Sequence, residues 1–547
     1  MIKKYLIILA SSVFVLSSCL KEDSPFDSEK IYETEKGMQT AATGVYAKLA
    51  DFQYFGADYW HLTNLYSGNF LSAKPGDQAT IVKLNVPPSL NYNGNVWKAG
   101  YGAINRANTF IDNVESKESI NEIEHNELGQ IYFLRAYLYF NAVRLWGKVP
   151  LKIGATTSET LFTPRTDRGK VYEQIIADAR KAIEHYQDAN GVTTTGRPKM
   201  YAANMLLAKV YMTLADADID AADLGQDEVL PYLGLTSQQC WTNAETEALE
   251  VVNNGGYSLL PDFSDLWKEE TRNSSESIFE MQFNIENAYS GKVWNKGKSY
   301  KGGAGWSRMG VNPDVIDEFI FANMDHDAPS GGKINVNDGD PRYWETFKVI
   351  YGKYPKYDNK KNYPADKLKN KNFYPLAEKY SIKNLEQSTD ASNKNMTIYR
   401  YADLLLMLAE IENELDKPAE YVNYVNQVVD RARVSKHIDP STRLYVDGDG
   451  VHPLAITDQG KDANREEIFK QYRYELFSEG HDAFNNRRKG YDWFRAHTID
   501  PHNSRVGSGE YVLKLNEEKT KVMQLPIPLA EINTNQEIGT ADQNPGY

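Results

Sequence analysis

Ile131-Tyr132-Phe133-Leu134-Arg135-Ala136-Tyr137-Leu138-Tyr139-Phe140-Asn141-Ala142-Val143-Arg144-Leu145-Trp146-Gly147-Lys148-Val149-Pro150 decides the fold. Ile131, Leu134, Leu138, Ala142 and Leu145 recur at spacings of 3, 4, 4 and 3, which places them on one face of a helix. Gly147 and Pro150 then end it. The same signal returns at Ala203, Leu207, Val210 and Leu214, and at Leu404, Leu408, Ile411 and Leu415, where Lys417-Pro418 closes the run. Ile468, Tyr472 and Leu476 begin another, closed by Gly480.

The predicted helices come in pairs with short connections: Trp97–Val114 with Glu124–Trp146, Lys170–Tyr186 with Lys199–Ala215, and Asn395–Leu415 with Ala419–Ala432. Small residues such as Ala136, Ala142, Ala202, Ala203 and Ala208 stand where a neighbouring helix must approach closely. This layout resembles tetratricopeptide repeats, in which each unit's apolar face is covered by the next. The strict repeat signature is absent, so periodicity alone predicts a helical-repeat scaffold.

Three stretches break the pattern. Residues 259–395 are rich in Gly, Asn, Tyr, Trp and Lys, with a strand-like alternation at Ser277–Phe283 and a helical run near Pro313–Phe321. Asp51–Asn95 reads as irregular, as does Val434–Ala463. A long irregular segment inside a folded chain usually serves function.

The chain begins with a leader. Lys3 and Lys4 precede an apolar run, Tyr5 to Leu16, too short to span a bilayer. Leu16-Ser17-Ser18-Cys19 resembles the bacterial lipobox, which predicts removal of residues 1–18 and lipidation of Cys19. Lys21-Glu22-Asp23 resembles the signal that sends lipoproteins of Bacteroidota to the outer face of the outer membrane. The expected location is therefore the outer membrane, lipid-anchored and facing the exterior.

Composition excludes several classes. The chain has 547 residues, 61 Lys plus Arg against 75 Asp plus Glu, and a net charge of −14. That is a poor surface for phosphate backbones, so no nucleic-acid partner is expected. Cys19 and Cys240 are the two cysteines and make no disulfide framework. No nucleophile elbow, zinc-protease helix, phosphate loop or dinucleotide fingerprint occurs, so neither a catalytic residue nor a cofactor is assigned. Asp447-Gly448-Asp449-Gly450 has the alternating carboxylates of a calcium loop without its closing glutamate; a plain turn is the commoner outcome, and a structural calcium the alternative. Glu475, Glu479 and His481 beside Arg487 and Arg488 invite a metal or acid–base reading, but a buried ion-pair network is the expected one.

Aromatic residues are the better candidates for function. The chain carries 36 Tyr and 9 Trp. Sugar rings stack their C–H faces on flat aromatic rings, while amides and charged groups bond their rims. Trp294 lies beside Asn295 and Lys296, Trp306 near Arg308, Trp60 near His61 and Asn64, and Tyr92 between Asn91 and Asn93. Trp60, Tyr66, Tyr92, Tyr289, Trp294, Tyr300 and Trp306 are the candidate ligand-binding residues. Trp97, Trp146, Trp241, Trp267 and Trp493 fall in or beside helical segments and are read as packing.

Several segments, in order, resemble the SusD/RagB family of outer-membrane nutrient-binding lipoproteins. They include Ala103-Ile104-Asn105-Arg106-Ala107-Asn108, the Arg135–Phe140 and Arg144–Leu151 runs, Gly196-Arg197, Ser274–Phe279 and Asp338-Gly339-Asp340-Pro341-Arg342. Arg400–Met407, Arg473–His481, Pro526-Ile527-Pro528 and the terminal Gln543–Tyr547 complete the set. The resemblance implies an all-α-dominated fold: four tetratricopeptide-like helix pairs carrying a loop-rich variable region with a few short strands. One domain is expected over 19–547, with helical parts at 30–258 and 396–547 around the variable part at 259–395. It also implies a partner, a SusC-like TonB-dependent barrel transporter, and a glycan ligand captured for it. The alternatives are a peptide-capturing RagB-like member, a surface glycosidase, or a purely structural repeat adaptor.

Overall fold

The computed structural model describes residues 30–71, 76–283, 310–326, 336–348, 376–377, 379, 393–438, 444–507 and 512–547. The lipobox cysteine, Cys19, lies outside them.

Helices dominate. Glu35–Leu49 (α1) and Asp58–Leu65 (α2) precede Asn91–Glu115 (α3), Glu122–Trp146 (α4), Arg168–Asp188 (α5), Met200–Ala215 (α6) and Ser237–Asn254 (α7). Pro313–Asn323 (α8) and Pro341–Thr346 (α9) lie in the middle region, followed by Tyr401–Glu414 (α10), Pro418–Val434 (α11) and Lys461–Leu476 (α12). Each long helix packs on the next: α3 on α4, α4 on α5, α5 on α6, α6 on α7, α7 on α10, and α10 on both α11 and α12.

α4 is the centre of the stack. The Asn121 side chain accepts from the backbone N–H of Ile123 and Glu124, and Glu124 accepts from the backbone N–H of Asn121, so the first turn is capped reciprocally. Gly147 ends the helix at φ 73°, a conformation that favours glycine. Arg135 explains why its motif sits here. Its Nε and Nη2 donate to the Asp178 carboxylate of α5, both at 2.7 Å, while Nη1 reaches Asn108 Oδ1 of α3 at 2.8 Å. One buried guanidinium thus ties three helices. Ala136, Ala202, Ala203 and Ala208 are fully buried where helices meet.

Short strands finish the architecture. Phe70–Leu71 (β1), Ser277–Met281 (β2), Gly310–Val311 (β3), Phe347–Lys348 (β4), Leu376–Ala377 (β5) and Met396–Arg400 (β6) are the ones that matter here. β1, β3, β5 and β4 form a four-stranded antiparallel sheet in that order, and β2 pairs antiparallel with β6.

Two expectations are corrected. The segment predicted as one helix from Asn395 begins as strand β6, and helix starts only at Tyr401. Thr397, Ile398 and Tyr399 favour a strand, and pairing with β2 satisfies their backbone. Asp51–Asn95 is not irregular throughout: it contains α2, every residue of which is buried, a further helix at Asp77–Val82 and the start of α3. At eight residues α2 spans barely two turns, too few for a period to show.

α8 is pinned by a charged contact. His502, 1% exposed, places Nδ1 2.8 Å from Asp314 Oδ1 and donates from Nε2 to the Leu513 carbonyl at 3.0 Å. Burial alone would lower the imidazole pKa, but Asp314 overrides it and raises it above 6.5. Asp314 is held below 3.8 in turn, mainly by His502 acting against its own burial. The pair therefore contributes fully between these values, and its contribution falls as pH rises through the raised histidine pKa. Urea unfolding of the intact protein should show stability declining upward from pH 6.5, and His502→Gln should flatten that slope.

Candidate functional site

The sequence-chosen rings divide into two groups. Trp60 lies on α2 inside the core, 2% exposed, edge-on to His61 at 5.4 Å. Tyr66 is equally enclosed: its hydroxyl donates to the Lys521 carbonyl at 2.7 Å, and the Arg487 guanidinium lies 4.0 Å from its ring centroid. Neither offers a free face, so the expectation that they stack on a ligand is corrected: these rings are packing. Tyr92 is half-buried at the first turn of α3, its ring 6.2 Å from that of His61 and its hydroxyl 3.4 Å from Gln78 Nε2. Tyr289, Trp294, Tyr300 and Trp306 lie outside the described residues, in the chain between β2 and β3. Of the tryptophans read as packing, Trp97, Trp146, Trp241 and Trp267 are buried and Trp493 is half-buried.

A groove of about 910 Å³ runs along the first half of α3 against residues 150–162 and 528–535. Trp97 and Tyr101 form its aromatic wall, with ring centroids 5.0 Å apart. Trp97 Nε1 donates to Glu531 Oε2 at 3.0 Å and Tyr101 donates to the Pro150 carbonyl at 2.8 Å, so both rings are held fixed. Lys98 and Asn91 are exposed along it, with Leu161 and Leu529 at the rim. Trp97 is buried packing, as expected, and half-buried Tyr101 is the ring that the groove presents.

The glutamates of the Arg473–His481 segment form a buried charge hub. Glu475 receives Arg400 Nη1 at 2.6 Å, Arg342 Nη1 at 3.2 Å and Arg431 Nη2. Glu479 receives Arg400 Nε at 2.8 Å and Lys379 Nζ at 2.9 Å. Glu276 bonds Arg400 and Arg431, and Asp340 bonds Arg342. Burial opposes ionisation of Glu475, but Arg431, Arg400 and Arg342 together hold its carboxyl far below the usual range; Glu479 is held at about 2 against the same burial, chiefly by Arg400 and Lys379. Buried carboxylates locked in ionised form cannot deliver protons or receive substrate, so this cluster is structural. Burial, with nearby Lys209 and Arg400 adding to it, brings the His481 pKa to about 4. The expected partners differ, however. Arg488 bonds Glu410 and Asp216 instead, and Arg487 donates to the carbonyls of Val522, Ala483 and Tyr66. The hub's Arg342 and Lys379 come from the middle region, so the hub fastens that region to the helix stack.

Asp449 accepts from the backbone N–H of Val451 and His452, both at 2.8 Å, and lies 2.8 Å from His452 Nδ1. Among the described residues no group of three or more His, Cys, Asp and Glu side chains is disposed to hold a metal. Cys240 is buried, and burial pushes its thiol up to about 12. It should stay unlabelled by a thiol reagent at pH 8 in a Cys19→Ser background and become labelled on denaturation; fast native labelling would contradict its burial.

The described residues form a helix stack with a short-stranded middle region clamped to it by buried charges. Comparison with known families places it. The SusD family model matches residues 275–547, and a second model, described as starch-binding associating with outer membrane, matches residues 21–212. The chain belongs to the SusD/RagB family. SusD-like protein P25 of Formosa agariphila is 23% identical, with 98% of each chain covered, and SusD-like protein P2 of the same organism is 26% identical over the whole of both. A SusD homolog from Bacteroides thetaiotaomicron superposes with a TM-score of 0.71 at 21% identity, covering 96% of this chain and all of the other. A SusD superfamily protein from Bacteroides vulgatus gives 0.68 at 19%, covering 94% and 100%. The mostly helical fold with a few short strands matches SusD superfamily structures, as the sequence motifs imply.

Proposed function

We propose that the protein is a cell-surface lipoprotein that captures a glycan and passes it to a SusC-like TonB-dependent barrel transporter. The observation that carries this reading is the match of two family models, in order, over residues 21–212 and 275–547, the first of them described as starch-binding at the outer membrane. The protein binds and does not react. Tyr289, Trp294, Tyr300 and Trp306 supply the stacking faces, with Asn295, Lys296 and Arg308 beside them for the sugar rim. Lipidation at Cys19 holds the receptor at the membrane, because a lipidated terminal cysteine carries more than one acyl chain. Native electrophoresis through gels containing polysaccharide tests the capture: the protein should be retarded by at least one glycan, and unretarded migration on every glycan, with peptides co-purifying instead, would overturn it. Cys19→Ser should move the protein from the membrane fraction to the soluble one; unchanged fractionation would refute the anchor.

A further inference from the structure

A separate cavity of about 160 Å³ lies where the C-terminal ends of α4 and α6 meet residues 216–226 and 481–490. Its wall carries five cations: Arg144, Arg168, Lys209, Arg487 and Arg488. Three are compensated within the protein. Arg168 faces Asp218 and Asp227, Lys209 bonds Asp403 at 2.8 Å, and Arg488 bonds Glu410 and Asp216. The two acids of the wall are committed as well, Asp216 to Arg488 and Asp220 to Lys519.

Arg144 and Arg487 differ. Neither has a carboxylate within 4 Å among the described residues, and each guanidinium lies between two rings. Arg144 sits 3.7 Å from the centroids of both Phe140 and Phe484, and Arg487 sits 4.0 Å from Tyr66 and 4.2 Å from Phe494. Arg144 donates from Nε to the Phe140 carbonyl at 3.1 Å and from Nη2 to Asn141 Oδ1 at 2.6 Å, and Nη1 has no acceptor among the described residues. The side-chain amide of Asn485, on the same wall, likewise makes no hydrogen bond to a described residue. Arg487 spends its donors on backbone carbonyls, and burial brings its pKa down to about 10, the mark of a cation without a counter-charge. A buried cation without a counter-charge, Arg487, and a half-buried one with an open Nη1, Arg144, stand beside one cavity and favour an anion there. Ile219, 56% exposed, stands at the cavity's outer edge and leaves a route from solvent.

We propose that this cavity binds one small oxyanion group, a carboxylate or a sulfate, bonded by Arg144 and Asn485 and balanced by Arg487. The group belongs either to a free ion or to an acidic saccharide. Crystals of the intact chain soaked in selenate should show an anomalous peak at hydrogen-bond distance from Arg144. Calorimetry at fixed ionic strength, with sodium sulfate and with galacturonate against a chloride control, should give saturable heat. Heat with sulfate assigns a free ion, and heat with galacturonate alone assigns an acidic sugar. Arg144→Gln should weaken this binding by about tenfold or more. Thr213→Phe keeps every charge and fills the cavity wall, so it should abolish binding even if Arg144→Gln does not fold. Water alone in the cavity, and heats equal to chloride with both ligands, would overturn the proposal.

Discussion

Glu475→Gln should lower the unfolding free energy by about 3–5 kcal/mol, the cost of breaking a buried ion-pair network from one side. Glu475, Glu479, Glu276 and Asp340 face Arg400, Arg431, Arg342 and Lys379, four acids against four cations, all buried. Glutamine keeps the shape and removes one charge, which leaves a surplus cation where water cannot solvate it. The three arginines that meet Glu475 come from β6, α11 and α9, so the loss loosens the joint between the middle region and the helices. Urea unfolding at neutral pH measures the effect, and a loss below about 1 kcal/mol would mean that solvent reaches the hub. Acid should not mimic the mutation: a carboxyl held this low stays ionised well under pH 4.5, so the hub's contribution disappears only in strong acid.

The second large effect separates packing from binding. Trp60→Ala should destabilise the protein by about 3–5 kcal/mol, because it empties a ring-sized volume inside α2's fully buried surroundings. Trp294→Ala should leave the unfolding midpoint nearly unchanged and weaken glycan binding. Thermal unfolding paired with calorimetry on the two variants reads both. A Trp60 variant as stable as the parent would contradict its placement in the core.

The two tryptophans also show what was legible in the sequence. α4 and α6 were readable because one side of each turn pattern is unbroken and a glycine or a polar run stops it. Trp60 looks like a loop ring because its neighbours, with His61, Asn64 and Tyr66, have the composition of a binding loop; the helix they form has only eight residues, too few to show a period. β6 was hidden because Met396–Arg400 leads straight into the apolar run of α10, and only pairing with β2, more than a hundred residues earlier, makes it a strand. The hub was half-legible. A pair of glutamates four residues apart in a helical segment pointed to buried arginines, but linear proximity suggested Arg487 and Arg488. The true partners come from positions 342, 400 and 431, and only the folded chain brings them together. The motif order from Ala103 to Tyr547 carried the family, because its pieces include the side chains that join helices, such as Arg135.

The most direct test compares the parent with the variant in which Tyr289, Trp294, Tyr300 and Trp306 are all alanine, by isothermal titration against an oligosaccharide panel and a peptide mixture. Saturable heat with at least one oligosaccharide, lost in the variant at unchanged thermal stability, is the predicted result. Heat with peptides alone, or oligosaccharide binding that survives the loss of all four rings, would contradict the account.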